Sequence, residues 1–278
     1  MVGSTKTRPA EYYDRHQFLY NWFWSRSALH YGLWSAGVTS LAAAIERTND
    51  AVIETAQVTA DDHVFDLGSG TGGTAVRLAQ QTGCRVTGMT ISPKQHRQAR
   101  QLSERAGVAD RVTFVLGNFE DRLPFPDGSF TVVTAIESFC HAHDKPAVLK
   151  EIHRVLRPGG RTIMIDGFLT SRILSQAEQH RYDICRQGWQ VPSLWPYDEL
   201  SELFKTAGFD LVARSDRTAD IVPSSNRIRM LGLMTIVPAW LLTALRVAPL
   251  LDNARCMIAQ RGMFDGVAKY GIVTAVAR

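Results

Sequence analysis

From His63 to Gly73 the chain reads H-V-F-D-L-G-S-G-T-G-G, an apolar strand with one acid, Asp66, running into four glycines within six residues. Glycines at a strand end let backbone N–H groups at the next helix's start approach a ligand closely. No Cβ intervenes there, and the helix dipole favours negative charge. The pattern suits a nucleoside-like ligand. Gly68, Gly70 and Gly73 satisfy G-x-G-x-x-G, the dinucleotide fingerprint, which also asks for an acid about 20 residues further on, at the end of the second strand. That strand, R-V-T-G-M-T-I from Arg85 to Ile91, offers Thr90 instead.

A second chemical cluster follows the fourth strand, T-A-I-E-S-F-C-H-A-H-D-K from Thr134 to Lys145. Ligands of open α/β sheets gather at the carboxyl ends of strands, so Glu137 and His141 are the candidates to face the reacting atoms. An imidazole titrating near neutrality can remove a proton, and a carboxylate can shelter a cation. His143 and Asp144 are expected to open the next helix, with Asp144 as its N-cap. These spacings assemble no metal site, which would need several clustered acids.

Further blocks are L-P-F-P-D-G-S-F-T-V-V from Leu123 to Val133 and V-L-R-P-G-G-R from Val155 to Arg161. With Asp66 and the glycines, this ordered set, from about Asp62 to Asp166, resembles the class I S-adenosylmethionine-dependent methyltransferases. The resemblance implies S-adenosyl-L-methionine as cofactor, S-adenosyl-L-homocysteine as product, and an α/β fold with a Rossmann-like, doubly wound, seven-stranded, mainly parallel sheet. It places Asp66 near the methionine ammonium, with capping of the next helix as the alternative, and lays Gly68, Ser69, Gly70 and Gly72 against the cofactor. The run M-T-I-S-P-K-Q is similar to the variant G-I-T-I-S-P-x-Q and maps Thr90, Ser92 and Gln95 onto the ribose hydroxyls. Asn118 and Phe119, in G-N-F-E after the third strand, fall at the adenine edge, with a plain loop as the alternative. Glu137 borders cofactor and acceptor alike.

The segment Tyr12 to Trp34, Y-Y-D-R-H-Q-F-L-Y-N-W-F-W-S-R-S-A-L-H-Y-G-L-W, is dense in aromatic residues. It resembles the entrance region of sterol side-chain, tocopherol and related isoprenoid C-methyltransferases, where such a segment caps the cofactor and lines the acceptor site. This implies Tyr13 at the cofactor and Tyr12, Tyr20, Trp24, Tyr31 and Trp34, joined by Tyr197, at the acceptor. For any single ring, an ordinary helical core stripe is the alternative. The implied function is C-methylation of an isoprenoid or prenyl double bond in natural-product biosynthesis. Comparable enzymes act on prenyl diphosphates or on the terpenoid arm of teleocidin-type indole alkaloids. Alternatives are O- or N-methylation of a small aromatic metabolite, with His141 as base, or an inactive cofactor-binding scaffold. Candidate diphosphate ligands Arg26, Arg181, Arg186 and Arg227 are scattered, which favours an uncharged isoprenoid.

The rest of the chain must position these groups. Its 278 residues, 21% charged with a net charge of +4 and no lysine or arginine block, argue against a nucleic-acid surface. Glu137-Ser138-Phe139-Cys140 stands where a nucleic-acid or protein methyltransferase would more often carry an N/D-P-P-Y tetrapeptide. Cys84, Cys140, Cys185 and Cys256 lie far apart, which predicts free thiols and a reducing, cytoplasmic setting. The first residues show no secretion-signal core and are expected to form a short disordered lead.

Strands are expected at His63–Leu67, Arg85–Met89, Val112–Leu116, Phe130–Ile136, Gly160–Asp166, Phe209–Arg214 and Ile272–Val276, with helices between most of them. Pro196 to Gly208 reads as a helix with an acidic first turn and a glycine stop. The expected organisation is an aromatic lid over 1–47, a cofactor-binding core over 48–217, a helical insertion over 218–266 serving the acceptor pocket or an oligomer contact, and a last core strand over 267–278. Met230 to Leu245, the most apolar run, spans 16 residues and is expected to break at Pro238, short of the ~20 a membrane span needs. A buried helix pair or cavity wall is the reading, with a membrane-surface or subunit contact as the alternative. The apolar insertion and aromatic N-terminus imply a homo-oligomer, with exchanged N-terminal helices.

Overall fold

The computed structural model describes residues 30–171, 173–245 and 250–278. The sequence-derived roles of Tyr12, Tyr13, Tyr20, Trp24 and Arg26, and the disordered lead, lie outside them. In chain order the regular elements are α1 (Leu41–Ala56), β1 (His63–Leu67), α2 (Gly73–Thr82), β2 (Arg85–Thr90), α3 (Pro93–Arg105), β3 (Val112–Leu116), β4 (Phe130–Ile136), α4 (Lys145–Val155) and β5 (Leu156–Leu169). They continue with α5 (Gln176–Gly188), α6 (Leu200–Thr206), β6 (Phe209–Asp216), α7 (Val222–Ala244), α8 (Leu251–Met263) and β7 (Ala268–Ala277).

The seven strands form one sheet in the order β3-β2-β1-β4-β5-β7-β6. All neighbours run parallel except β7, which is antiparallel to both β5 and β6. Interior parallel strands are covered on both faces, so β1 is apolar on both. Its neighbours Val64 and Phe65 accordingly enter different cores, one with Val76 and Ile163, the other with Leu149 and Phe204. Because the chain crosses from β3 to β4 on the far side of β1, the strand order reverses beside β1, and the carboxyl ends of β1 and β4 open into one crevice.

Local sequence accounts for the helix starts. Ser92 caps α3 ahead of Pro93, and Asp144 caps α4 through Ala147 N–H at 2.9 Å. Ser175 and Glu178 form a capping box on α5. The expected helix after Pro196 is a single 3₁₀ turn, Tyr197–Glu199, followed by α6, and it ends at Gly208 with φ +94°. β5 and β7 run longer than local pattern indicates, since their antiparallel ladder extends from Arg161↔Val276 to Leu169↔Ala268.

Two expectations for the apolar segment are overturned. Pro238 does not break its helix: α7 runs 23 residues with Pro238 inside. Proline removes one backbone donor and crowds the carbonyl four residues back. Pro238 and Met234 are both exposed, so water can take that carbonyl. Nor is this segment a buried pair or a cavity wall. Gly232 and Ala239 face inward, whereas Met230, Met234, Val237 and Trp240 are exposed. Among the described residues, 219–244 is the one helical stretch long and apolar enough to cross a membrane, and only 11% of its most apolar window is buried.

Candidate active site

The turn between β1 and α2 holds three glycines in the left-handed region: Gly68 at φ +82°, Gly70 at +53° and Gly72 at +87°. Their surroundings differ. A Cβ on Gly68 would stand 2.4 Å from that of Ser138, so this glycine admits the β4 end to the turn. A Cβ on Gly72 would meet Phe114 and Ala99 at 2.7 and 2.9 Å, and Gly72 does not line the cavity. This corrects its expected cofactor contact: Gly72 is a packing glycine and the N-cap of α2, and Gly73 lines the cavity instead. Around Gly70 there is open space, as a cradle for a ligand requires.

Asp66 is buried, and its Oδ2 has no hydrogen-bond partner; it does not cap α2. Burial pushes its pKa up to about 7. Ser69 Oγ and Thr71 Oγ1 are likewise buried and unpartnered. Orphaned polar atoms around an open glycine turn fit a polar ligand such as the methionine and ribose portions of S-adenosylmethionine. Thr90 and Gln95 also line the cavity and are joined at 2.9 Å. Ser92 does not line it. Its hydroxyl accepts Gln95 N–H at 3.0 Å, so the expected ribose ligand is a helix cap. Asn118, Phe119 and Glu120 line the β3 side, and Glu120 accepts the amide of His143 at 2.6 Å.

At the end of β4, Glu137 adopts φ +47°, costly for a residue with a Cβ and held here by its amide bond to Ile165 O at 2.8 Å. Its Oε1 accepts Tyr31 N–H at 2.6 Å and the Tyr270 hydroxyl at 2.7 Å. Burial nevertheless pushes its pKa up to about 8, because desolvation outweighs both bonds. His141 sits on the following 3₁₀ turn, with Nδ1 3.4 Å from Gln190 O. Burial lowers its pKa to about 4, leaving a neutral imidazole at physiological pH. Asp166, ending the apolar part of β5, accepts Cys140 N–H at 2.9 Å and Gly167 N–H at 2.8 Å. Lys145 is buried and donates to the carbonyls of Cys140, Ala142 and Ser193 at 3.2, 2.8 and 2.6 Å, tying the His141 turn to the segment after α5.

Asp66, Ser69, Thr90, Asn118, Glu137, His141 and Asp166 border one cavity of about 240 Å³. Its far wall is aromatic: the Tyr31 ring makes edge contacts with Trp189, Phe264 and Tyr270 at centroid separations of 6.4, 5.7 and 5.7 Å. Sequence reasoning did not single out Tyr270, Trp189, Phe264, Tyr182 or Asp166. Asp166 had a local signal, an acid closing an apolar strand; the aromatic residues had none. Two expected acceptor residues lie elsewhere. Trp34 donates its indole N–H to Ser224 Oγ at 2.9 Å, against the start of α7. Tyr197 is buried beside Phe168, with Arg214 and Lys269 over its ring. His143, just before the N-cap of α4, is half exposed and also borders the cavity. Met263 and Phe264 bring the 218–266 region to the cavity, whereas α7 does not reach it. All four cysteines are free and buried.

Comparison with known proteins fits this arrangement. Residues 65–164 match the family model described as a methyltransferase domain. The 27-O-demethylrifamycin SV methyltransferase of Amycolatopsis mediterranei is 33% identical over 223 residues, 79% of this chain and 81% of that one. The sterol 24-C-methyltransferase of Eremothecium gossypii is 32% identical over 209 residues, 74% of this chain; the match spans about half, 55%, of that longer enzyme. The geranyl diphosphate C-methyltransferase of Streptomyces coelicolor, solved with Mg²⁺, geranyl diphosphate and S-adenosyl-L-homocysteine, superposes with a TM-score of 0.75. It is 18% identical, and the match covers 100% of both chains.

Proposed function

Because this chain belongs to the S-adenosylmethionine-dependent methyltransferases, we propose that it methylates a carbon of an apolar, uncharged isoprenoid or prenylated small molecule in natural-product biosynthesis. The observation that carries this reading is the buried Glu137 carboxyl standing against the Tyr31, Tyr270, Phe264 and Trp189 group in a single cavity. S-adenosylmethionine, when bound, supplies an electrophilic methyl group on its sulfonium. Asp66, Gly68, Ser69, Gly70, Thr90, Gln95, Asn118 and Phe119 would hold it; their place in the cavity lining and the unpartnered atoms described above support this.

The remaining wall excludes water and positions the acceptor. When an alkene forms its new carbon–carbon bond, positive charge appears on the neighbouring carbon. Aromatic faces stabilise such a charge, and so does an ionised carboxylate in a low-dielectric site. Glu137, with its pKa near 8, is poised to exchange a proton around neutral pH, and its ionised form can take the proton that the cation sheds. Among the described residues the cavity lining holds one guanidinium, Arg186, already engaged with Asp183 at 2.7 Å, which supports an uncharged acceptor over a diphosphate.

A second reading, O- or N-methylation of a small aromatic metabolite, rests on the neutral imidazole of His141 in the same cavity. Four free, buried thiols suit a cytoplasmic setting, and assembly into a homo-oligomer through the aromatic N-terminal segment completes the proposal. The deciding experiment supplies S-adenosylmethionine with a ¹³C methyl group to pools of prenylated compounds, sterols, prenyl diphosphates and phenols. A labelled methyl resonance on carbon supports the first reading, and one on oxygen or nitrogen replaces it with the second.

A further inference from the structure

The outer face of α7 serves no part of the site. From Met230 to Leu245 every exposed position is apolar, and the stripe runs about 24 Å at 1.5 Å per residue. Met234 is 70% exposed, Val237 63% and Trp240 56%. Scattered apolar residues on a surface need no explanation, but a continuous stripe of this length does. The opposite face is fixed: Gly232 lies against Met257 and Ile258 of α8, and Gln260 of α8 bonds the hydroxyl and carbonyl of Ser225 at 2.8 and 2.7 Å. A helix fastened along one side is placed to lie in an interface rather than to cross a bilayer.

Charge selects the occupant. Between Asp220 and Asp252 the sequence carries three arginines and no acid. Arg227 and Arg229 are exposed at the start of the stripe and form no ion pair among the described residues. In a symmetric contact between two copies of α7, these cations would meet apolar surface or one another, with no carboxylate from this segment to neutralise them. An anionic lipid surface answers both features, taking the apolar stripe below its headgroups and the guanidinium groups at them. We propose that α7 docks this protein, in plane, on a membrane containing anionic lipid, through Met230, Met234, Val237 and Trp240 and with Arg227 and Arg229 at the headgroup level.

The test is flotation of the full chain with vesicles of phosphatidylcholine alone or mixed equally with phosphatidylglycerol, alongside sedimentation velocity without lipid. The chain is expected to float with the anionic vesicles and much less with the neutral ones. The double substitution Val237→Glu/Leu241→Glu should lower the bound fraction at least tenfold. Arg227→Gln/Arg229→Gln, which leaves the apolar packing untouched, should lower affinity for anionic vesicles roughly 30-fold at low salt, the effect of two cations near the surface. Adenosylhomocysteine binding, which α7 does not touch, should be unchanged in both variants and reports that they fold. Failure of the wild-type chain to float with either vesicle overturns the proposal, as does flotation insensitive to both double substitutions. A lipid-free dimer that Val237→Glu/Leu241→Glu splits, with no flotation, would assign the face to a second copy. None of these readouts involves an acceptor, so the result stands apart from the choice between carbon and oxygen or nitrogen methylation.

Discussion

The Tyr270 hydroxyl, from the antiparallel strand β7, donates a 2.7 Å hydrogen bond to Glu137 Oε1 at the end of β4, across 133 residues of sequence. This bond lowers the pKa of Glu137, which burial holds near 8. Tyr270→Phe should therefore raise that pKa. The rising limb of turnover against pH would move to higher pH, with about a tenfold loss at pH 7 from a bond to a charged group. Glu137→Gln should remove the limb. A pH–rate profile of the three proteins decides; an unmoved limb in Tyr270→Phe would mean another group sets it.

Three buried carboxyls, Asp166, Asp66 and Glu137, have pKa values raised by burial to about 6, 7 and 8. Each is neutral in the folded protein where the unfolded chain, with ordinary carboxyl pKa values near 4, would ionise it. Through these three groups the folded state binds more protons, so their contribution to stability is full below pH ~4 and is lost as pH rises through 6 to 8. Above about pH 6.5, where His30, His63 and His141, whose pKa values burial lowers, no longer oppose the trend, the urea midpoint of the cofactor-free protein should fall up to about pH 8.5, and less steeply in Glu137→Gln. Parallel declines in the two proteins would show that Glu137 is already ionised when folded.

Substitutions at two glycines should separate cofactor binding from packing. Gly70→Val and Asp66→Ala are expected to abolish calorimetric binding of adenosylhomocysteine, since the open cradle and the orphaned carboxyl are lost. Gly72→Ala forces a Cβ against Phe114 and Ala99 at φ +87°, so it should cost about 2–4 kcal/mol of stability, combining left-handed strain with overpacking. Retained affinity in Gly70→Val would remove this turn from the cofactor site.

His141→Ala discriminates the two proposed chemistries. If carbon is the acceptor, turnover should fall less than tenfold, because no proton need leave before the methyl arrives. A loss of roughly 10²–10⁴ would identify His141 as the base for an O–H or N–H acceptor.

Lys145, itself outside the cavity lining, supports the turn that carries that imidazole through the Cys140 and Ala142 carbonyls. Its ammonium contributes to the low pKa of His141, after burial itself. Lys145→Met should raise the His141 pKa, as followed by ¹⁵N NMR. It should also lower stability by about 1–3 kcal/mol, since three carbonyls lose their donor. A purely structural role would leave the His141 titration where it is.

The turn from Asp66 to Gly70, the helix cap at Asp144 and the extents of β1, β3 and β4 were legible in sequence, because each depends on contiguous residues: an apolar run, a glycine turn, a capping side chain. The same locality explains why Glu137 and His141 could be picked out at a strand end. Which glycine faces the ligand could not be read locally, because it depends on Phe114 and Ala99 standing behind Gly72. Aromatic composition marked Tyr31, Trp34 and Tyr197 alike, yet only Tyr31 reaches the cavity; the others turn to Ser224 and to Arg214. The wall of Tyr270, Trp189 and Phe264 exists only where β7, the end of α5 and the end of α8 converge. Sequence determined that the segment around Pro238 is apolar. Only packing decided that it is one unbroken helix with that surface turned outward, because a side chain's surroundings are set by which elements cover it and not by its own type.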